Sequence, residues 1–93
     1  MDTEWDENKR LANLKERGVD FRDAAQIFLA PVLEAEDTRT EYGEQRFRAL
    51  GRVGEDTFMV AYTWRGERRR IISAWKVDDE GRRRYPAILA RRT

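Results

Sequence analysis

The first third of the chain has apolar positions at helical spacing, together with residues that can begin and end helices. Asp6 is a suitable N-cap because its carboxylate can accept hydrogen bonds from the free amides of a first turn. A helix is predicted over about residues 7–17, with Leu11 and Leu14 on its inner face. Gly18 suits the left-handed residue that often follows a last turn, so the helix should end there.

A second helix is predicted over about residues 21–29 by the same kind of signals. Asp20 can cap it, and Asp23 stands at its third helical position. Its apolar stripe consists of Phe21, Ala24, Ala25 and Phe28. Pro31 ends the helix because proline lacks the amide that a further turn needs.

The rest of the chain alternates between apolar and polar residues with the period of two that strands require. Three strands are predicted, over about 45–53, 57–65 and 68–77, joined by the glycine-containing turns GED and RGE. A short extended segment from Val32 and the TEW sequence at 3–5 are candidates for further strand. A short or broken helix follows over about 79–90, where Gly81 and Pro86 weaken the helical pattern. The fold class is therefore α+β: one domain over 1–93, with two N-terminal helices on an antiparallel meander of three or four strands and a short C-terminal helix.

Strand alternation assigns the basic residues to faces of this sheet. In the first strand the residues Arg46, Arg48 and Arg52 share one face. In the third strand one face takes Arg68, Arg70, Ile72, Ala74 and Lys76, and the other takes Arg69, Ile71, Ser73, Trp75 and Val77. Because two helices cover only one side, we expect an uncovered, phosphate-binding face with Arg46, Arg48, Arg52, Arg70 and Lys76. Solvated arginines paired with Asp and Glu are the alternative, and clustering across strands favours binding.

Charge and composition support a polyanion partner and exclude several other classes. Residues 1–45 hold 6 Lys/Arg and 12 Asp/Glu, whereas residues 46–93 hold 13 and 6, so the C-terminal half is basic. The chain has no cysteine and no histidine, which excludes disulfides and the usual zinc sites. The acidic start MDTEWDENKR is unlike a signal peptide, and no apolar run is long enough to span a bilayer. These features fit a cytoplasmic protein.

Five short motifs follow one another along the chain: the WD start with Asn8 and Lys9, RGVDF at 17–21, YGEQRF at 42–47, YTWRG at 62–66 and RRIISA at 69–74. Together they resemble the BrnT toxin family. The resemblance spans roughly residues 5–85. It implies a RelE-like fold and a type II toxin that arrests translation by metal-independent RNA cleavage. It also implies a BrnA-type antitoxin with a ribbon-helix-helix DNA-binding part, which brings the complex to its operator.

Cleavage without a metal uses the 2′-OH of the RNA as nucleophile, so the protein must align it, stabilise the phosphorane and move protons. Histidine is the usual acid and base but is absent, and arginine can contact the phosphorane in a bidentate way. Lys76, if crowded by guanidinium groups, would lose its proton more readily and could transfer it. Glu44, Tyr42 and Tyr85 are other candidates.

By position within the family motifs, Arg65 and Arg70 are the first candidates for contacts to the phosphate and the transition state, followed by Lys76, Arg46 and Glu44. Arg48, Arg52, Arg68, Trp75 and Tyr85 complete the set as RNA-binding candidates. Taken alone, each residue also has a purely structural interpretation. Arg65 could be a surface residue flanking a turn, and Glu44 could form a salt bridge to Arg46. No metal or cofactor site is expected.

Trp75 departs from the family, which commonly has arginine at this position in an ISARKA sequence. Tryptophan can stack on a base but cannot neutralise a phosphate. Trp75 is therefore a substrate platform, a core residue beside Ile71, or the mark of a weakened catalyst. Two functions stay open: a ribonuclease toxin, and a non-catalytic protein that binds antitoxin and RNA without cutting.

Overall fold

A computed structural model describes residues 2–38 and 43–78, together with Glu80 and Arg83. The elements are β1 (Thr3–Trp5), α1 (Glu7–Arg17), α2 (Phe21–Ala24), a 3-10 helix (Ala25–Leu29), β2 (Leu33–Glu36), β3 (Phe47–Val53), β4 (Asp56–Arg65) and β5 (Arg68–Val77). The α+β class is confirmed. The C-terminal helix predicted over about 79–90 lies outside the described residues except at Glu80 and Arg83. No helix within the described ranges is long and apolar enough to cross a membrane.

The described strands form one five-stranded sheet in the order β1-β5-β4-β3-β2. The antiparallel meander of β3, β4 and β5 is as predicted. The sheet as a whole is mixed, because β1 pairs with β5 in parallel. The prediction of an antiparallel sheet of three or four strands was therefore wrong in both the number of strands and the direction of β1. The direction of β1 depends on a pairing between the two ends of the chain, which local alternation does not encode.

Both predicted N-caps are present, and α1 ends as expected. The Asp6 carboxylate accepts hydrogen bonds from the amides of Asn8 and Lys9 at 2.8 and 3.2 Å. Gly18 takes the left-handed conformation with φ of 70°. The second helix starts after Asp20 and tightens into the 3-10 helix, whose Ile27 packs against β3 at Gly51. A Cβ at Gly51 would lie 2.6 Å from the Cβ of Ile27, so only glycine permits this close approach.

The inner face of α1 differs from the prediction. Leu11 and Leu14 are 50% and 40% exposed, whereas Asn13 is buried. The Asn13 amide donates hydrogen bonds to the carbonyls of Val19 and Ala74, each at 2.9 Å, and accepts one from the Ala74 amide at 3.2 Å. β1 pairs with β5 only at residues 69–71. At Ala74, farther along the same edge, the Asn13 side chain forms the backbone hydrogen bonds that a neighbouring strand would otherwise form.

The two faces of the sheet bury separate apolar clusters. The helix face is the side packed against the helices, and it carries Ala49, Phe58, Val60, Tyr62, Ile71 and Ala74. The open face is the other side. It carries a smaller cluster of Ala35, Leu50, Met59 and Val77, with Trp75 packed against it.

A β-bulge in β5 changes which residues share a face. Ala61 pairs with Ser73, but the next residue, Tyr62, pairs with Ile71, so Ile72 is left without a partner across the ladder. One extra residue in a strand reverses the alternation beyond it. The sequence prediction of a single alternation along this strand was therefore wrong.

Asp20 ties the two helices together, and its charge should make stability depend on pH. It accepts hydrogen bonds from Arg22 and Arg10 at 2.8 and 2.9 Å, and the Arg22 guanidinium in particular lowers the Asp20 pKa from 3.8 to about 2. The unfolded chain binds a proton on this carboxyl at higher pH than the folded one. This stabilisation is therefore complete above about pH 4 and is lost as the pH falls towards about 2.

We expect Asp20→Asn to lower the free energy of unfolding by about 1–2 kcal/mol at neutral pH, since asparagine still caps a helix but forms no ion pair. Denaturant titrations should show the difference from the native protein shrinking between about pH 4 and about pH 2. Asp6→Asn is the matched control, because Asp6 caps α1 through backbone amides. A difference that stays constant down to about pH 2 would contradict the assigned role of the Asp20 charge.

Candidate functional site

The arginines of β3 lie on the open face, as predicted. Arg48 pairs across the ladder with Ala35 and with Ala61, and it is only 5% exposed. Arg52 is exposed farther along the strand. Arg46 immediately precedes β3 and lines a cleft on the same face. The first strand of the meander therefore presents a row of three guanidinium groups.

The bulge separates Arg70 from Lys76. Arg70 pairs with Thr63, whose neighbour Tyr62 is in the helix-face core, so Arg70 lies on the open face. Lys76 pairs with Phe58 of the helix-face core and forms an ion pair with Asp56 at 2.9 Å. The prediction that Arg70 and Lys76 share a face was wrong. Lys76 also stands beside a carboxylate rather than in a crowd of guanidinium groups.

The same bulge brings Trp75 to the open face. The guanidinium carbons of Arg17 and Arg48 lie 5.2 and 5.7 Å from its ring centroid, within the range of cation–π attraction. The partly buried ring packs against the open-face cluster, whereas Ile71 belongs to the helix-face cluster. Trp75 is therefore not a core residue beside Ile71, and that alternative was wrong.

A cleft of about 330 Å³ lies at the centre of the open face. Its walls are Arg17, Asp37, Arg46, Ala61, Ile72, Ser73 and Trp75. The backbone amide of Asp37 donates a 2.7 Å hydrogen bond to the carbonyl of Arg46, which holds this part of the cleft wall in place. The cleft combines basic side chains with an aromatic ring, as a binding site for a nucleotide would require.

Arg46, just before β3, and Arg70 of β5 lie on either side of β4 near Thr63. The Thr63 hydroxyl donates to the carbonyl of Gln45 at 2.6 Å, which fixes the segment carrying Arg46 beside β4. Arg70 forms an ion pair with Glu4 at 2.7 Å, and Arg46 forms one with Glu44 at 3.3 Å.

All four of these side chains are partly exposed, with relative exposures between 28% and 37%. Exposed ion pairs contribute only about 0–1 kcal/mol. A phosphate could therefore displace either carboxylate at little cost. The salt bridge between Glu44 and Arg46, one of the two alternatives for Glu44, is present in the structure.

The remaining candidates are farther away or outside the described residues. Arg65 and Arg68 face each other at the tip of the β4–β5 hairpin, and both are exposed. They are not among the residues that line the central cleft. Tyr42 and Tyr85 lie outside the described residues.

Arg69, between Arg68 and Arg70, packs against aromatic rings on the helix face and is paired with a carboxylate. Its guanidinium carbon lies 4.2 Å from the Phe28 ring centroid and 4.7 Å from that of Trp64, and it pairs with Glu34 at 2.8 Å. Burial raises the pKa of the neighbouring Tyr62 to about 12, so this phenol stays neutral at physiological pH. The run of three arginines is thus divided, with the middle one in the helix-face packing.

Sequence reasoning missed two residues of the cleft, Arg17 and Asp37. Arg17 is at the end of α1, and it reaches the open face because Asn13 holds that helix against the edge of β5. Asp37 follows β2 directly, and it is buried. Neither position has a signal in strand alternation, because neither belongs to the meander.

Fold and site together define a small α+β protein whose uncovered sheet face is basic and partly aromatic, a combination suited to nucleic acid. Residues 5–80 match the family described as the ribonuclease toxin BrnT of type II toxin–antitoxin systems, and the chain belongs to that family. Membership implies ribonuclease activity, an RNA substrate and a cognate antitoxin. A search of curated proteins gives no match to the chain.

Proposed function

We propose that this BrnT toxin cleaves RNA on the open face of its sheet without a metal ion, and that a BrnA-type ribbon-helix-helix antitoxin neutralises it. The observation that carries the proposal is the cleft lined by Arg17, Arg46 and Trp75, with Arg70 on the same face of the sheet. The donor set supports cleavage without a metal. The sequence has no histidine or cysteine, and the described residues contain no group of three carboxylates that could hold an ion.

In the proposed reaction the 2′-OH of the RNA attacks the adjacent phosphorus, and the bond from phosphorus to the 5′-oxygen breaks. A base takes the proton of the 2′-OH, water protonates the departing 5′-oxygen, and a 2′,3′-cyclic phosphate is left on the other fragment. Arg46 and Arg70 stabilise the phosphorane from two sides, since paired guanidinium contacts suit its equatorial oxygens. Glu44, displaced from Arg46 by the phosphate, is the base we assign among the described residues. We assign no part of the reaction to Lys76, which lies on the helix face.

The RNA on either side of the scissile phosphate would follow the rest of the basic surface. Trp75 stacks on a base, and Arg17, Arg48 and Arg52 lie along the backbone of the RNA. Arg65 and Arg68 at the hairpin tip contact more distant phosphates rather than the reacting one. Tyr85 stays a candidate for stacking.

A second candidate function is a catalytically weakened toxin that binds RNA and antitoxin without efficient cleavage. Two observations favour it: Trp75 replaces the usual family arginine, and Lys76 is directed away from the open face. The purified protein incubated with single-stranded RNA in EDTA separates the two functions. Cleavage that persists in EDTA supports the metal-independent ribonuclease, and binding without cleavage supports the weakened form.

The antitoxin should cover the open face, because an inhibitor that masks the guanidinium groups excludes RNA most directly. We expect the complex to bury about 1,600 Å² or more in total, as tight complexes do. Operator DNA would be bound through the antitoxin alone. Growth arrest on expression of the toxin, relieved by the product of the neighbouring gene, tests the pairing in cells. An antitoxin that contacts only α1 and α2 would contradict the open-face location.

Salt dependence should report how many phosphates the open face contacts. If Arg17, Arg46, Arg52 and Arg70 each hold one, the logarithm of RNA affinity should fall with the logarithm of salt concentration with a slope of roughly −3, about −0.7 per contact. Fluorescence anisotropy with a labelled oligonucleotide measures this slope. Asp56→Ala, which frees only Lys76 on the helix face, is the control and should leave the slope unchanged. A slope near zero would contradict the proposal that the open face binds a polyanion.

A further inference from the structure

An apolar groove of about 410 Å³ lies at the β2 edge of the sheet, away from the cleft. It is formed by residues 30–33, by residues 50–52 of β3 and by Thr57. β2 pairs only with residues 47–50 of β3, although β3 continues to Val53. Within the described residues the outer edge of β3 is thus left without a strand partner from residue 51 onward.

Large apolar side chains are exposed at this edge. Leu33 is 49% exposed and lines the groove, and Leu29 on the adjoining helical turn is 70% exposed. Exposed apolar groups beside a basic side chain such as Arg52 are typical of interaction sites. A strand edge that has no partner strand among the described residues adds a second means of recognition, namely the addition of an extended peptide.

We propose that this groove and edge bind an extended segment of the cognate antitoxin, which inserts an apolar side chain beside Leu33 and places an acidic side chain against Arg52. Leu33 and Arg52 both belong to the open face, because they alternate with the helix-face residues of their strands. A segment anchored here therefore continues directly over Arg48. The view that it thereby blocks RNA rests on the proposed function, whereas the docking itself does not.

A second copy of the chain fits the groove less well. A two-fold dimer would bring the same patch of each copy together, and Arg52 would then face its own equivalent. β2 is also only four residues long, which gives a short ladder for self-pairing. An acidic antitoxin segment avoids the repulsion and forms an ion pair instead.

Calorimetric titration with the antitoxin encoded by the adjacent gene tests the proposal. Leu33→Asp should weaken antitoxin binding at least about 30-fold, the scale of a central anchor contact. Leu14→Asp is the matched control, since Leu14 is 40% exposed on α1 at the other edge of the sheet, and its affinity should stay within about threefold of the native value. Arg52→Glu gives a second measurement that leaves the apolar lining of the groove intact and reverses the charge of one exposed lining residue, and it should also weaken binding.

Unchanged affinity in both Leu33→Asp and Arg52→Glu would overturn the proposal. Equal loss in Leu14→Asp would do the same, because the effect would then not belong to the groove. Sedimentation of the toxin alone should show a monomer, and a dimer that Leu33→Asp dissociates would assign the groove to a second copy instead. Failure of the native protein to cleave RNA would count against the proposed function only, because antitoxin affinity is measured without RNA.

Discussion

Replacing Arg70 by alanine should lower the rate of RNA cleavage by about 100-fold, the scale for losing one preorganised contact to the transition state. Arg70 lies on the open face, as Arg46 does, and the phosphate would displace its partner Glu4. The fold should persist, since a partly exposed ion pair contributes only about 0–1 kcal/mol. Single-turnover cleavage of a defined oligonucleotide in EDTA measures the effect.

Lys76→Ala is the matched control for Arg70→Ala. Lys76 is a basic residue of the same strand, and its side chain is 62% exposed, but the bulge places it on the helix face. Its removal should leave cleavage within about threefold of the native rate, because a distant exposed charge acts only through screened electrostatics. If Lys76→Ala lost as much activity as Arg70→Ala, or if Arg70→Ala cleaved normally, the open-face site would be wrong.

Replacing Trp75 by leucine should weaken RNA binding by about 10- to 100-fold, since one stacked base contributes about 1–3 kcal/mol. Leucine keeps apolar contact with Leu50 and Met59 but offers no ring to a base. Thermal melts of the variant establish that it is folded, and anisotropy with a labelled oligonucleotide measures affinity. Trp64→Leu is the control, because Trp64 is 42% exposed but lies against Arg69 in the helix-face packing.

Trp75→Arg separates stacking from weakened catalysis. It restores the common family residue but sets a third guanidinium between those of Arg17 and Arg48. We expect lower stability by about 1–3 kcal/mol, the cost of an imperfectly compensated charge in a partly buried place. Cleavage should not increase. A stable variant with faster cleavage would instead identify Trp75 as the mark of a weakened toxin, and the second candidate function would then be correct.

The helices and the meander could be predicted because their signals are local. Asp6, Asp20 and Gly18 act on residues within one turn of themselves, so the helix ends follow from neighbouring chemistry. The glycines of the two hairpins, Gly54 and Gly66, both have φ of 60°, which fixes the turns between consecutive strands. The faces of β3 followed from alternation alone because that strand has no bulge.

The packing of α1 could not be predicted, since its apolar residues suggest the wrong face. Leucines at 11 and 14 are exposed because this helix lies across the edge of β5 and satisfies backbone groups there through Asn13. β1 pairs with only three of the ten residues of β5, which leaves the rest of that edge open to the helix. That contact joins residues about 65 positions apart, and nothing in the helical pattern indicates it.

The candidate site, like the fold, could be predicted only in part from the sequence. The sequence by itself determined the α+β class, the basic C-terminal half, the β3 arginines on one face and the family. Only the tertiary structure decided which of the other residues join them. One bulge at Ile72 brings Trp75 to the open face and moves Lys76 away, and the packing of α1 adds Arg17. A bulge depends on the fit between β4 and β5 as they pack, and a helix direction depends on the edge it covers, so neither is encoded by the period of a single strand.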